Sequence, residues 1–192
     1  QPQVTYPLRE KPIVFYGTSI LQGGWAARPG MAHTNIISRR LNRECINLGF
    51  SGNGQLDLEV ARVMAEVDAG VFVLDFVPNA SVEQMKERME TFYRIIRNKH
   101  PKTPIVFIED PIFTHTLFDQ RVAHEVTRKN QTLNEIFNSL KKKGEKDIYL
   151  IHSEKMIGED GEATVDGIHF TDLGMIRYAN LITPFIKKMI KR

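Results

Sequence analysis

Ser19, Asp166 and His169 are the residue types that carry out nucleophilic acyl chemistry when they meet. A serine hydroxyl is a weak nucleophile and needs a base beside it. In Val165-Asp166-Gly167-Ile168-His169-Phe170 an aspartate and a histidine stand three positions apart in a short turn. That spacing can set the carboxylate against imidazole Nδ1, which fixes the tautomer and leaves Nε2 to accept a serine proton. Acyl transfer also needs donors aimed at the developing oxyanion. The Gly52 N–H suits this, because glycine has no Cβ to block approach, and Asn79 offers a neutral amide donor. Each residue also has a bland role. Ser19 can be a turn residue or helix cap, Asp166-Gly167 a tight turn, His169 a half-buried residue near a helix start, and Gly52 and Asn79 ordinary turn residues.

The elements that must position these residues can be read from the apolar pattern. Ile13 to Tyr16 is a β-rich run that ends in Gly17-Thr18-Ser19. Cys45 to Leu48, Pro104 to Ile108 and Ile148 to Ile151 read as further short strands, and Val71 to Phe76 is a continuous apolar run broken only by Asp75, as expected of a strand buried on both faces. Helical periodicity falls between them, over 31–42, 55–67, the stretch after the capping box Ser81-Val82-Glu83-Gln84, 119–143, and from Thr171 onward, with Pro184 as a kink site. In the last helix Leu173, Ile176, Ile182, Phe185, Ile186 and Met189 form the apolar face. Strands alternating with helices predict an α/β domain with a parallel sheet. All strand C-terminal ends then share one edge, and Ser19, Gly52, Asn79 and the Asp166–His169 turn each follow a strand.

In order and spacing, Gly17-Thr18-Ser19-Ile20, Gly52, Asn79 and Asp166-Gly167-Ile168-His169 resemble the four blocks of the SGNH/GDSL hydrolase superfamily. The longer strings 16–24 and 47–54 are similar to a branch of GDSL-like acylhydrolases common in bacteria. The resemblance implies a flavodoxin-like α/β/α sandwich with strand order 2-1-3-4-5. It makes Ser19 the nucleophile, His169 the general base and Asp166 its orienter, with the Ser19 and Gly52 N–H groups and the Asn79 side chain as oxyanion hole. It implies no cofactor and no metal. Two blocks depart from the family pattern: Thr18 stands in place of the usual Asp, and Val77-Pro78-Asn79-Ala80 lacks the glycine and acid of Gly-x-Asn-Asp.

Rival readings follow from the same residues. Ser51 also follows a strand beside a glycine, without a G-x-S-x-G elbow. A metal-dependent phosphoesterase would use Asp75, Asp166 and His169, and a flavodoxin-like carbohydrate-binding module would use Trp25, Phe113 and Phe118 as a stacking platform. His100 and His124 read as helix-surface residues, and the lone cysteine, Cys45, as a small buried hydrophobe that forms no internal disulfide. Gly23, Gly24 and Trp25, close to Ser19, are candidate substrate-binding residues on a rim suited to a small acyl group on a bulky alcohol. The favoured substrate is a short-chain ester of a carbohydrate.

With 192 residues, 42% of them hydrophobic and 26% charged, the chain suits one well-buried domain, taken as 12–192 after a Pro-containing lead-in over 1–11. The net charge is +3, and the basic clusters Lys141-Lys142-Lys143 and Lys187-Lys188…Lys191-Arg192 sit where helices should end, so they read as solvated helix termini and not as a nucleic-acid footprint. No apolar run approaches the ~20 residues that span a bilayer. The lead-in and the missing initiator Met set the expectation of one domain of a longer protein, periplasmic or secreted in a bacterium.

Overall fold

In a computed structural model, residues 10–190 are described, and five parallel strands form one sheet in the order 2-1-3-4-5. The strands are β1 (Ile13–Gly17), β2 (Cys45–Gly49), β3 (Val71–Asp75), β4 (Ile105–Ile108) and β5 (Ile148–Ile151). Their alternating side chains feed two separate cores. Ile13, Phe15, Val71, Val73, Val106 and Ile108 pack on one face. Val14, Tyr16, Phe72, Leu74, Ile105 and Phe107 pack on the other. This two-sided burial is why β1, β3 and β4 read as apolar runs, whereas the edge strand β2 is only half-buried.

Helices α1 (Ser19–Gln22), α2 (His33–Leu41) and α6 (Asp172–Met189) cover the first face. Helices α3 (Leu58–Met64), α4 (Val82–Lys99) and α5 (Gln120–Lys142) cover the second. The start of α5 is an exception, because Val122 and Val126 pack into the first core while Leu133 and Leu140 pack into the second. The chain runs outward from β1 to β2 and then crosses back to β3. The direction in which strands are added therefore reverses between β1 and β3, and the crevice outside their C-terminal ends is where this topology binds ligands.

Most helix starts follow their caps. Ser81 and Gln84 form the reciprocal capping box of α4, Asp119 caps α5 and Thr171 caps α6. Two helix starts differ from the periodicity. Residues 29–31 form a 3-10 turn, and α2 begins only after Ala32. Helix α3 starts at Leu58 and not at 55, because the buried Tyr16 hydroxyl accepts the Leu56 N–H at 2.8 Å while Leu56 sits at φ +62°. Helix α6 is continuous across Pro184.

Some side chains also differ from expectation. Leu173 and Phe185 lie on the exposed side of α6, off its packed stripe. His100 is not a surface residue: it caps α4 with its ring against Phe72, and its Nε2 lies 2.8 Å from the Ala65 carbonyl. Cys45 is half-buried on the edge strand, and burial pushes its thiol up to about 12. Lys141 and Lys142 end α5 and Lys187 and Lys188 end α6, as the charge pattern predicts. Lys191, Arg192 and residues 1–9 of the lead-in lie outside the described residues. Among those described, Glu10 pairs with Arg43 and Lys11 with Asp68.

Candidate active site

Ser19 opens α1 and does not cap it. The capping role belongs to Thr18, whose Oγ1 accepts the Ile20 N–H at 3.2 Å. As first residue of the helix, Ser19 has no intrahelical partner for its own N–H. Gly23 closes α1 in the left-handed conformation, and the Gly24 N–H donates to the Ser19 carbonyl at 2.8 Å. Ser19 is thereby clamped at the end of β1 from both sides.

The Asp166–His169 turn lies over this position. Asp166 Oδ1 accepts the N–H groups of Ile168 (3.0 Å) and His169 (2.7 Å), the geometry of an aspartate folding its own turn. Its Oδ2 lies 2.7 Å from His169 Nδ1, and His169 Nε2 lies 3.0 Å from Ser19 Oγ. Burial alone would raise the Asp166 carboxyl, but hydrogen bonds from the His169 ring and the two N–H groups outweigh it and hold the pKa at about 2. An ionised carboxylate only accepts, so the shared proton sits on Nδ1, and in the neutral ring Nε2 is then the nitrogen left to accept from the serine. The turn is tied down from outside by the His115 N–H, which donates to the Gly167 carbonyl at 3.0 Å.

Gly52 and Asn79 stand on the neighbouring strand ends. Gly52 has φ +69°, and a Cβ there would meet nothing within 4 Å. The glycine is thus required by the backbone conformation and not by a crowded neighbour. Asn79 Oδ1 accepts the Gly54 N–H at 3.3 Å, and its Nδ2 has no hydrogen-bond partner among the described residues. Ser19, Ser51, Gly52, Asn79 and His169 all line one cavity of about 410 Å³. Ser51 is exposed on the loop after β2, and no hydrogen bond joins it to a histidine among the described residues.

Gly23, Gly24 and Trp25 do not line that cavity. Trp25 stands at the rim with its ring 6.4 Å from that of His169, at φ +66°. Phe113 is buried in the cavity wall, whereas Phe118 is 83% exposed. The far wall comes from residues that sequence reasoning passed over: Asp110 after β4, and Val122, Glu125, Val126 and Lys129 on the first turns of α5. Asp110 follows a strand end as Ser19 and Asn79 do, so the same rim argument, extended to the fourth strand, would have found it. Asp75, one of the ligands of the metal reading, is buried and accepts the Tyr178 hydroxyl at 2.7 Å. Among the described residues, no group of three or more His, Cys, Asp or Glu is placed to hold a metal ion.

A base–hydroxyl pair with an anchored imidazole, opening on a cavity beside free N–H donors, can carry out attack on a carbonyl and stabilise the resulting oxyanion. Comparison with known proteins points the same way. A sequence profile described as the GDSL-like Lipase/Acylhydrolase family matches residues 10–187. A Bacteroides ovatus protein described as a GDSL-like lipase is 42% identical, with a TM-score of 0.92 over 96% of this chain and 55% of that one. The salicylyl-acyltransferase SsfX3 from a tetracycline biosynthetic pathway superposes with a TM-score of 0.78 at 19% identity, over 95% of this chain and 55% of that one. A family two carbohydrate esterase from Clostridium thermocellum, in complex with cellohexaose, gives 0.74 at 17% identity, over 97% and 66%. At these two lower identities the likeness is one of fold. The chain spans just over half the length of the first two. None of the curated proteins matches it.

Proposed function

We propose that this chain, which belongs to the GDSL-like lipase/acylhydrolase family of the SGNH hydrolase superfamily, is a serine esterase that cleaves a carboxylic ester through an acyl-enzyme. The observation that carries the reading is the line Ser19 Oγ, His169 Nε2, His169 Nδ1, Asp166 Oδ2, with separations of 3.0 Å and 2.7 Å. Ser19 attacks the ester carbonyl as His169 takes its proton. The Ser19 and Gly52 N–H groups and Asn79 Nδ2 donate to the oxyanion. His169 then protonates the leaving alcohol, and a water activated by the same ring releases the acid. The hydrolase unit in this reading is residues 12–192.

The substrate we favour is a short acyl ester of a carbohydrate. A cavity of about 410 Å³ falls in the range of small-molecule sites and suits a group of monosaccharide size. Its wall mixes apolar Phe113, Val122, Val126 and Ile168 with polar Asp110 and Lys129. A carbohydrate esterase and an acetyl esterase are among the proteins that share the fold.

The test is hydrolysis of 4-nitrophenyl acetate by the wild type, with and without EDTA, beside His169→Ala. Turnover that is indifferent to EDTA and falls by a factor of roughly 10³ or more in the variant is the expected outcome. Turnover abolished by EDTA and restored by a divalent cation would favour the metal reading instead.

A further inference from the structure

One carboxyl in the cavity has no task in the acyl transfer just described. Asp110 follows β4 and forms part of the same wall as Phe113, in the cavity that also holds Ser19 and His169. It is only 2% exposed, and its Oδ1 is buried without a hydrogen-bond partner. Its backbone is fixed on both sides by one residue of α5: the Asp110 N–H donates to Asn130 Oδ1 at 2.7 Å, and Asn130 Nδ2 donates to the Asp110 carbonyl at 2.9 Å. The position is therefore held rigidly while the side chain is left unanswered.

A cation is within electrostatic reach, yet the chain commits it elsewhere. Lys129 Nζ donates to the Pro78 carbonyl at 3.1 Å and pairs with Glu125 at 2.9 Å. The other charges that act on Asp110 are Asp75 and Glu125, both of which disfavour its ionised form. Burial, the largest influence, and these two carboxylates push its pKa up to about 8 against the opposing pull of Lys129. Near neutral pH the group is then a carboxylic acid, with one O–H to donate and lone pairs to accept. A buried polar group without a partner costs folding free energy, and this carboxyl stands in the wall of the cavity that holds Ser19 and His169.

We propose that Asp110 reads a hydroxyl on the alcohol portion of the ester seated in this cavity, and so sets a preference for a hydroxylated ring over its deoxy counterpart. An alcohol both donates and accepts, which matches a neutral carboxylic acid on both counts. An ammonium group would instead meet a neutral acid beside the positive charge of Lys129. The apolar stretches of Phe113, Val122 and Val126 then cover the C–H faces of the ring. The inference rests on the esterase reading above.

The experiment measures acetate release from 2-hydroxycyclohexyl acetate and from cyclohexyl acetate by the wild type, Asp110→Asn and Asp110→Leu. Circular dichroism first establishes that each variant is folded, and Asp110→Asn stands alone if the leucine variant is not. The expected ratio of kcat/KM, hydroxylated over deoxy, is tenfold or more in the wild type. It falls toward one in Asp110→Leu, and to an intermediate value in Asp110→Asn, which keeps hydrogen-bonding capacity. A residue that served only to support the wall would slow both substrates alike and leave the ratio unchanged. A wild-type ratio of one, or a wild-type ratio kept by both folded variants, overturns the inference while leaving the esterase standing. Failure on both acetates, with no uptake of a serine-directed phosphonate, would instead sink the esterase reading and this inference with it.

Discussion

Raising the pH from 6.5 to 8.0 should destabilise this fold, and Asp110→Asn should remove most of the effect. In the folded chain burial raises Asp110 to about 8 and Asp75 to about 7, from an ordinary value of 3.8. Between those limits the folded state holds protons that the unfolded chain has lost, so stability declines as pH rises, by about 1.4 kcal/mol per unit for each group. His33 acts in the opposite sense. Burial lowers its pKa to about 3, so the unfolded chain binds the extra proton and stability climbs with pH up to about 6.5. Above 6.5 that opposing slope is gone. Asp75 then contributes for a further half unit and Asp110 for one and a half, together about 3 kcal/mol by 8.0. Cys45 and the buried tyrosines Tyr16 and Tyr178 are shifted upward and enter only at higher pH. Urea unfolding followed by circular dichroism at the two pH values gives the comparison directly. Wild type should lose about 3 kcal/mol and Asp110→Asn less than about 1 kcal/mol. Stability that is level or rising over this interval, or an Asp110→Asn slope equal to that of the wild type, would refute the assignment of a neutral buried Asp110.

Three substitutions test the rest of the architecture. Asp166→Asn presents an amide N–H to His169 Nδ1, reverses the tautomer and puts a proton on Nε2, so kcat for an aryl ester should fall by roughly 10²- to 10⁴-fold with the fold retained. Asn79→Ala removes the free amide donor beside Ser19 and should lower kcat by roughly 10²-fold with little change in KM; steady-state kinetics separate the two parameters. Tyr178→Phe takes away the hydroxyl that donates to Asp75 and leaves that carboxyl without its partner, which should cost about 1–3 kcal/mol in urea unfolding.

The sheet was legible because its central strands β1, β3 and β4 are buried on both faces. Ile13 to Tyr16 and Val71 to Asp75 have no polar side to confuse the pattern, and each ends at a residue that lines the cavity or at the loop that carries one. The Asp166–His169 turn was legible because its chemistry is local: three positions suffice for the carboxylate to reach both the backbone and the ring. What sequence could not give was the outcome of long-range contacts. Leu56 sits in the left-handed region and delays α3 because a tyrosine forty residues earlier holds its N–H. His100 reads as a surface residue until Phe72 and Ala65 are brought against it. The far wall of the cavity depends on how the first turns of α5 lean over the sheet edge, which brings Val122, Val126 and Lys129 to face Ser19 across the crevice. Periodicity along α5 marks Val122 and Val126 as inward but does not say that they line a ligand site, and it gives no reason to place Lys129 there.

Mass spectrometry after reaction with a fluorophosphonate tests the central claim most directly. The account predicts one equivalent of adduct, located by peptide mapping on Ser19, with Ser51 unmodified and the labelling lost in His169→Ala. Adduct on Ser51, or none at all in protein that hydrolyses 4-nitrophenyl acetate, would contradict it.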